Sequence, residues 1–514
     1  MPSRWKTALV AVSAAAALSL AVAGCSTPEE SPDAPDSIRI GITPDQLAGD
    51  YNLATTSLFP LSAGTMYESL FARSTNIETG GFGPNIATGY ERSEDWKTVT
   101  LTLRDDVTYV DGEKLTAGTV KEYLDGMNGT EGWWFQSTWD LNSPTLTAVD
   151  DTTLEFTSDK PMTLRFRGFL HSLFTAVAIA SPKALDDLEA SAADPIGTGP
   201  YVIESSTPEV GMTLVRNEGY WNTEAFPFDE IELTVFADDV AALNALKAGQ
   251  IDATKLSIPL GDEAANEGFT INLAPRDRNV SLYIADREGT TNPAFADPRV
   301  RQAMAYAFDR EAINESLNRG YGVVSTQPFS EGQAEYVPDG DDRYAYDPDR
   351  ARELLAEAGY ADGFDLVIPS TTFLGLNSWE PVVQQYLGDI GIRVTFDSYP
   401  DVGAYFTAAT SDTSYPVLMY AEGPISTLPV FITSDAVFNP FKIQDPVVDD
   451  LWAKVQSGPD DVADEAAAEL GAYVVDESIL IVFSAPGNIW ATAPGFVVEN
   501  KDGYPDLMTF QYEG

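Results

Sequence analysis

Cys25 is the only cysteine in the 514-residue chain. No disulfide can form within the molecule, so packing alone must hold whatever fold it adopts. The material for a core is there: 44% of the residues are hydrophobic and 11% aromatic, which suits a globular protein. At roughly 100–200 residues per domain, the length allows two or three domains.

The surroundings of that cysteine carry a second message. Arg4 and Lys6 give residues 1–24 a basic start, an apolar stretch runs from Ala8 to Ala23, and small residues lead in as Val22-Ala23-Gly24-Cys25. The stretch is short for a transmembrane helix, which needs roughly 20 apolar residues. Residues 25–36 are polar and proline-rich, a composition that resists folding and suits a tether. A plain secretory leader with a chance cysteine is one reading. The pattern resembles a bacterial lipobox, which implies that Cys25 becomes the first mature residue and carries a lipid. On that reading residues 1–24 are a signal peptide and 25–36 a disordered tether. The protein is then extracytoplasmic, lipid-anchored to the bacterial cell membrane through its N-terminus only.

Charge narrows the partners. The formal net charge is −49 at pH 7, and two units more negative once Arg4 and Lys6 are removed. Nucleic acid is excluded, because its binding needs Lys and Arg against phosphates. The acidity favours solubility and says nothing about fold.

Along the chain, strand and helix signals alternate, which indicates an α/β architecture. Ser37 to Ile42 and Val99 to Leu103 alternate as strands, as do Ile231, Leu233 and Val235. Asp111-Gly112 marks a turn, and a helix is expected from about Thr116 to Met127. Asp238 or Asp239 can cap a short helix that carries Val240, Leu243 and Leu246 and stops at Gly249. Asp297-Pro298 and Asp347-Pro348 each place a capping carboxylate before a proline at the first helical position. After the first come Val300, Ala303, Met304, Ala307 and Phe308 on one face; after the second, Ala351, Leu354, Leu355 and Ala358, with Gly359 as the stop.

Catalytic signals are sparse. His171 is the sole histidine and lies in an apolar run, Phe169 to Phe174, where a structural role is expected. Histidine-based triads and structural zinc sites are therefore incomplete. Neither a G-x-S-x-G elbow nor a phosphate-binding G-x-x-x-x-G-K-[ST] loop occurs. Asp339-Gly340-Asp341-Asp342 lacks the spacing of a calcium loop and reads as a surface turn. The 79 acidic residues leave a carboxylate-pair hydrolase open. Aromatic side chains are more suggestive. Trp133, Trp134, Phe135 and Trp139 cluster in a loop-like stretch beginning at Gly132, and Phe373 and Trp379 flank Gly375-Leu376-Asn377 in another. Such rings either contact a ligand or pack between domains.

Taken together in order, a series of short motifs spans most of the chain. They are Val99 to Val107 with Asp111 to Ala117, then Gly197-Thr198-Gly199-Pro200-Tyr201-Val202, then Arg216 to Trp221. Ala245 to Asp252, Asp297 to Ala303, Ala307 to Ile313, Tyr346-Asp347-Pro348, Leu354 to Tyr360 and Gly391 to Val394 complete it. The series resembles the extracellular solute-binding proteins of the oligopeptide, dipeptide and nickel type (family 5), which serve ABC transporters.

The resemblance implies a two-lobed periplasmic-binding-protein-like fold (type II) with an inserted subdomain in the first lobe. Lobe I is expected to comprise 37–69, 196–279 and 477–514, the insert 70–195, and lobe II 280–476. Gly197 and Gly199 are expected to permit a tight turn before a lobe-crossing strand. Peptide-binding relatives hold the peptide amine with an aspartate after a Gly-Trp pair. The corresponding stretch here, Val417 to Ser426, has neither, and Glu422 is the available anion for an ammonium group.

The implied function is capture without chemistry. Oligopeptides or dipeptides enter the cleft between lobes, close the hinge, and are delivered to an ABC permease and ATPase complex. Trp133, Trp134, Phe373, Trp379, Tyr420 and Glu422 are the cleft candidates. No metal and no cofactor are expected, and the protein is expected to be a monomer and not an enzyme. The alternative ligand is an oligosaccharide or other small solute; a ligand sensor or an extracellular hydrolase is more remote.

Overall fold

A computed structural model describes residues 35–44, 51–54, 61–73, 82–162, 169–276, 278–411, 414–422, 429–434, 436–457, 459–499 and 507–513. The leader, Cys25 and nearly all of the tether lie outside these residues, as do Gly423 to Ser426.

The architecture is α/β and built on two main sheets. The larger has seven strands in the order Thr270–Ala274, Asn488–Thr492, Ala253–Leu256, Ser37–Ile42, Glu230–Val235, Gly211–Arg216, Tyr201–Thr207. Ser37–Ile42 sits at its middle because Ile38, Ile40 and Ile42 are buried at 0%, 0% and 1% exposure, and it pairs in parallel with both neighbours. A four-stranded antiparallel sheet, Ala87–Arg92, Thr98–Leu103, Thr153–Thr157 and Thr145–Ala148, lies between the first two segments of this lobe. It shares one continuous apolar core with the seven-stranded sheet. The second lobe has its own core around a three-stranded sheet, Val417–Glu422, Asn279–Ile284, Leu480–Ser484, and a parallel pair, Phe364–Thr371 with Ile392–Tyr399.

Helix starts follow the local chemistry. Thr116 caps Ala117–Met127 by accepting from the Thr119 N–H at 3.2 Å, while the Thr119 hydroxyl accepts from the Thr116 N–H at 2.9 Å. Asp238 caps Asp239–Lys247, Asp297 caps Pro298–Tyr306 and Asp347 caps Pro348–Glu357, each through a backbone N–H. Gly249 and Gly359 end helices with φ of +67° and +92°.

The buried face of the helix Asp239–Lys247 is Ala242, Leu243, Ala245 and Leu246, and Val240 is 54% exposed. Three expectations need correction. Gly197 and Gly199 do not sit in left-handed backbone. A Cβ on either would overlap the main chain at Met66 and Thr65, so close approach is what demands glycine there. The strand that follows, Tyr201–Thr207, crosses between no lobes; it is the edge of the first sheet. Finally, Leu480–Ser484 pairs with Asn279–Ile284 in the second lobe, so the chain returns to the first lobe after residue 484 and not at 477.

Candidate functional site

Two stretches carry the chain from one lobe to the other. Thr270–Ala274 ends in the first sheet and Asn279–Ile284 begins in the second, so the chain makes one crossing between Ala274 and Asn279. Leu480–Ser484 and Asn488–Thr492 make the other, through residues 485–487. Arg276 grips the first crossing: its guanidinium donates to Asn279 Oδ1 at 2.6 and 2.9 Å, and to the carbonyls of Gln327 and Phe329 at 2.9 and 3.0 Å. The Asn279 side chain in turn donates to Pro328 O at 2.7 Å.

The second crossing is held from inside lobe II. Arg310, in the Asp309-Arg310 motif, is 6% exposed and donates to the carbonyls of Val482, Phe308, Tyr344 and Ala305 at 2.7–3.2 Å. Burial pulls this guanidinium down to about 9. The motif therefore serves to pin the strand Leu480–Ser484 that leads into the crossing. Gly487 has no room for a side chain, since a Cβ there would overlap the Tyr321 carbonyl oxygen and lie 2.9 Å from that of Ala274.

Beside the crossings stands the edge strand Val417–Glu422. It runs antiparallel to Asn279–Ile284, with Glu422 opposite Asn279 and Tyr420 opposite Ser281. Glu422 thus lies at the hinge end of the second sheet; its side chain lies outside the described residues. Tyr420 is half-buried against the second core, 5.0 Å from the Phe431 ring and 5.2 Å from Phe438. Phe438 continues to Phe406 at 6.1 Å and Phe406 to Phe373 at 5.8 Å, where the ladder of rings reaches solvent, Phe373 being 41% exposed. Phe373–Trp379 is a 3₁₀ helix and not the open loop expected; it follows the carboxyl end of the strand Phe364–Thr371 and packs against Val417–Glu422. Trp379 is half-buried, 5.8 Å from Phe483 on the crossing strand.

The other two candidates belong to the first lobe. Trp133 is 4% exposed, packed on Phe135 and Trp139 at 5.6 and 5.5 Å, so most of its ring is committed to the core. Trp139 sits on a helix, Gln136–Asn142. Trp134 is half-buried, and its backbone N–H donates to Ala54 O at 2.8 Å. The structure therefore brings Phe373, Trp379, Tyr420 and the backbone of Glu422 onto one lobe, and Trp133 and Trp134 into the separate core of the other.

Sequence reasoning missed Glu68. This carboxylate is 5% exposed, accepts from Tyr220 Oη at 3.0 Å and from Trp221 Nε1 at 3.2 Å, and the Arg104 guanidinium lies 3.8 Å above the Trp221 ring. It joins the start of the insert to the Tyr220-Trp221 motif of the first lobe. Burial, only partly offset by these donors and Arg104, pushes it up to about 7. An acid inside the apolar run Met66-Tyr67-Glu68-Ser69-Leu70-Phe71 was the available signal. His171 is buried on the helix Phe169–Thr175. Asp341 spends its carboxylate on Ser325 Oγ at 2.6 Å and Tyr336 Oη at 2.7 Å, and among the described residues no group of three His, Cys, Asp or Glu side chains is placed to hold a metal ion.

Two lobes, each with its own core, joined by paired strand crossings define a type II periplasmic-binding-protein fold. Solved structures agree on that fold. The ABC transporter substrate-binding protein CtaP from Listeria monocytogenes superimposes with a TM-score of 0.77 at 20% identity, covering 93% of this chain and 99% of that one. The periplasmic binding protein DppA from Helicobacter pylori, in complex with the peptide STSA, gives 0.72 at 17% identity, covering 93% and 98%. The family model "Bacterial extracellular solute-binding proteins, family 5 Middle" matches residues 81–440, and the chain belongs to that family. Its similarity to the glutathione-binding protein GsiB of Salmonella paratyphi A is 29% identity over 358 residues, 66% of this chain. The matched region spans 65% of the length of that curated relative.

Proposed function

We propose that this chain is the substrate-binding lipoprotein of an ABC importer. It captures oligopeptides or dipeptides in the cleft between its lobes and delivers them to a membrane permease with its ATPase, staying anchored through a lipid on Cys25. It acts as a monomer and performs no chemistry on its ligand.

The observation that carries the peptide reading is the edge strand Val417–Glu422 beside the hinge. Backbone groups at the hinge end of that strand, with Phe373–Trp379 packed beside it, can hold an extended peptide of many sequences with little side-chain selection. Glu422 at the hinge end of that edge supplies the anion for the peptide ammonium, in place of the aspartate of relatives. Phe373, Trp379 and Tyr420 form the apolar wall for its side chains, and Trp134 is the first-lobe contact for the ligand, packed beside the buried Trp133. The matched relatives support the same class: GsiB is described as binding glutathione and DppA was solved with a peptide.

Native mass spectrometry of the chain lacking residues 1–25, purified without refolding, tests this directly. Released peptides of mixed sequence and narrow length are expected, with their retention weakened in Glu422→Gln. A co-purified oligosaccharide, or no affinity for any peptide offered, would overturn the peptide reading.

A further inference from the structure

The loop after the helix Arg310–Leu317 does more than close the second lobe. Asn318 Nδ2 donates to Ser484 Oγ at 3.0 Å, and the Val323 N–H donates to Ala485 O at 2.9 Å, so the loop is sewn to the return crossing. Between these anchors, the Tyr321 carbonyl fills the space that a side chain on Gly487 would need. The Tyr321 side chain then leaves the second lobe altogether. Its hydroxyl donates to Asp262 Oδ1 at 2.9 Å, on the helix Ile258–Asn266, and its ring edge lies 3.9 Å from where a Cβ on Gly261 would stand. That helix packs on Thr270–Ala274 and Asn488–Thr492, the two first-lobe strands that feed the crossings.

We propose that Tyr321 and Asp262 form an interlobe latch that sets the balance between open and closed arrangements. Both backbones move with different lobes, so the bond length is tied to the angle between them. A hydrogen bond to a carboxylate at the pivot adds stability to one lobe arrangement and nothing to the other, which is the condition for shifting a two-state equilibrium. Tyr321 is half-buried and Asp262 exposed, so neither supports a core. The charge on Asp262 is the acceptor, and burial together with that carboxylate raises the Tyr321 phenol above its ordinary value, keeping it a donor. The latch itself is a statement about the hinge; its use in regulating capture rests on the function proposed above.

The test measures lobe separation without any ligand, so it stands apart from the ligand question. Spin labels are placed at Val210→Cys and Val447→Cys, exposed positions one in each lobe, in the full chain carrying Cys25→Ser. Tyr321→Phe and Asp262→Asn are each expected to lower the ratio of latched to unlatched molecules about three- to tenfold. The double variant is expected to go no further than either single one. Distance distributions unchanged by both variants, or shifts that add independently in the double variant, overturn the latch. The Tyr321→Phe change removes one oxygen and keeps the ring, so a fold defect would show as a separate loss of unfolding cooperativity in Asp262→Asn alone; that result too counts against a shared bond.

Discussion

Replacing Glu68 with glutamine keeps its size and removes its charge. In the folded protein burial raises this carboxyl from 4.5 to about 7, so the folded state holds the proton more tightly than the unfolded one. The stabilising contribution is therefore complete below about pH 4.5 and is lost as the pH rises through 7. With about 1.4 kcal/mol for each tenfold of proton affinity, the loss by pH 8 comes to about 3 kcal/mol. Glutamine can still accept from Tyr220 Oη and Trp221 Nε1, which approach one oxygen at 3.0 and 3.2 Å, and it has no proton to lose. Urea unfolding followed by tryptophan fluorescence at pH 5, 6.5 and 8 separates the two chains. The wild type is expected to lose stability across that window relative to Glu68→Gln, by about 3 kcal/mol at the top. Other titrating groups are common to both proteins and cancel in the difference. Parallel curves for the two proteins would show that Glu68 is already ionised without cost, and the account of its burial would fail.

Gly487→Ala puts a methyl group into the Tyr321 carbonyl at the return crossing, so a fall of several degrees in the melting temperature and weakened ligand retention are expected together. A normal melting temperature would show that the crossing has slack. Trp133→Ala and Phe373→Ala should part company: the first empties a core site and costs about 3–5 kcal/mol in a denaturant titration. The second, on a ring 41% exposed, should leave stability within about 1 kcal/mol while weakening binding of whatever peptide co-purifies. Equal stability losses for the two would contradict the burial described.

Much of the fold was legible because its signals are local. Asp297-Pro298, Asp347-Pro348 and Asp238 act on backbone N–H groups within three residues of themselves, so their sequence is their mechanism. The alternation at Ser37–Ile42 and Thr98–Leu103 likewise reports a buried face without reference to a partner. The candidate site was legible in part. The sequence picked out aromatic stretches, and it placed Tyr420 and Glu422 in the single stretch Val417 to Ser426. It could not tell Trp133 from Phe373, because whether a ring is enclosed depends on tertiary packing: Trp133 sits on Phe135 and Trp139, which pack in turn on Phe169, while Phe373 ends at open solvent.

What the sequence determined by itself was the chemistry of single elements: the lone cysteine that leaves stability to packing, the caps, the strand faces, and an ordered run of motifs. Tertiary structure decided how those elements meet. Only the sheet order shows that Leu480–Ser484 belongs to the second lobe and Tyr201–Thr207 to the edge of the first. Only the approach of Met66 explains Gly197, and only the meeting of Glu68 with Tyr220 and Trp221, more than 150 residues on, makes a buried acid tolerable. The reason is physical: helix caps and alternation are settled over a few residues of chain, whereas close approach, burial and proton affinity belong to neighbours that the chain brings together only by folding.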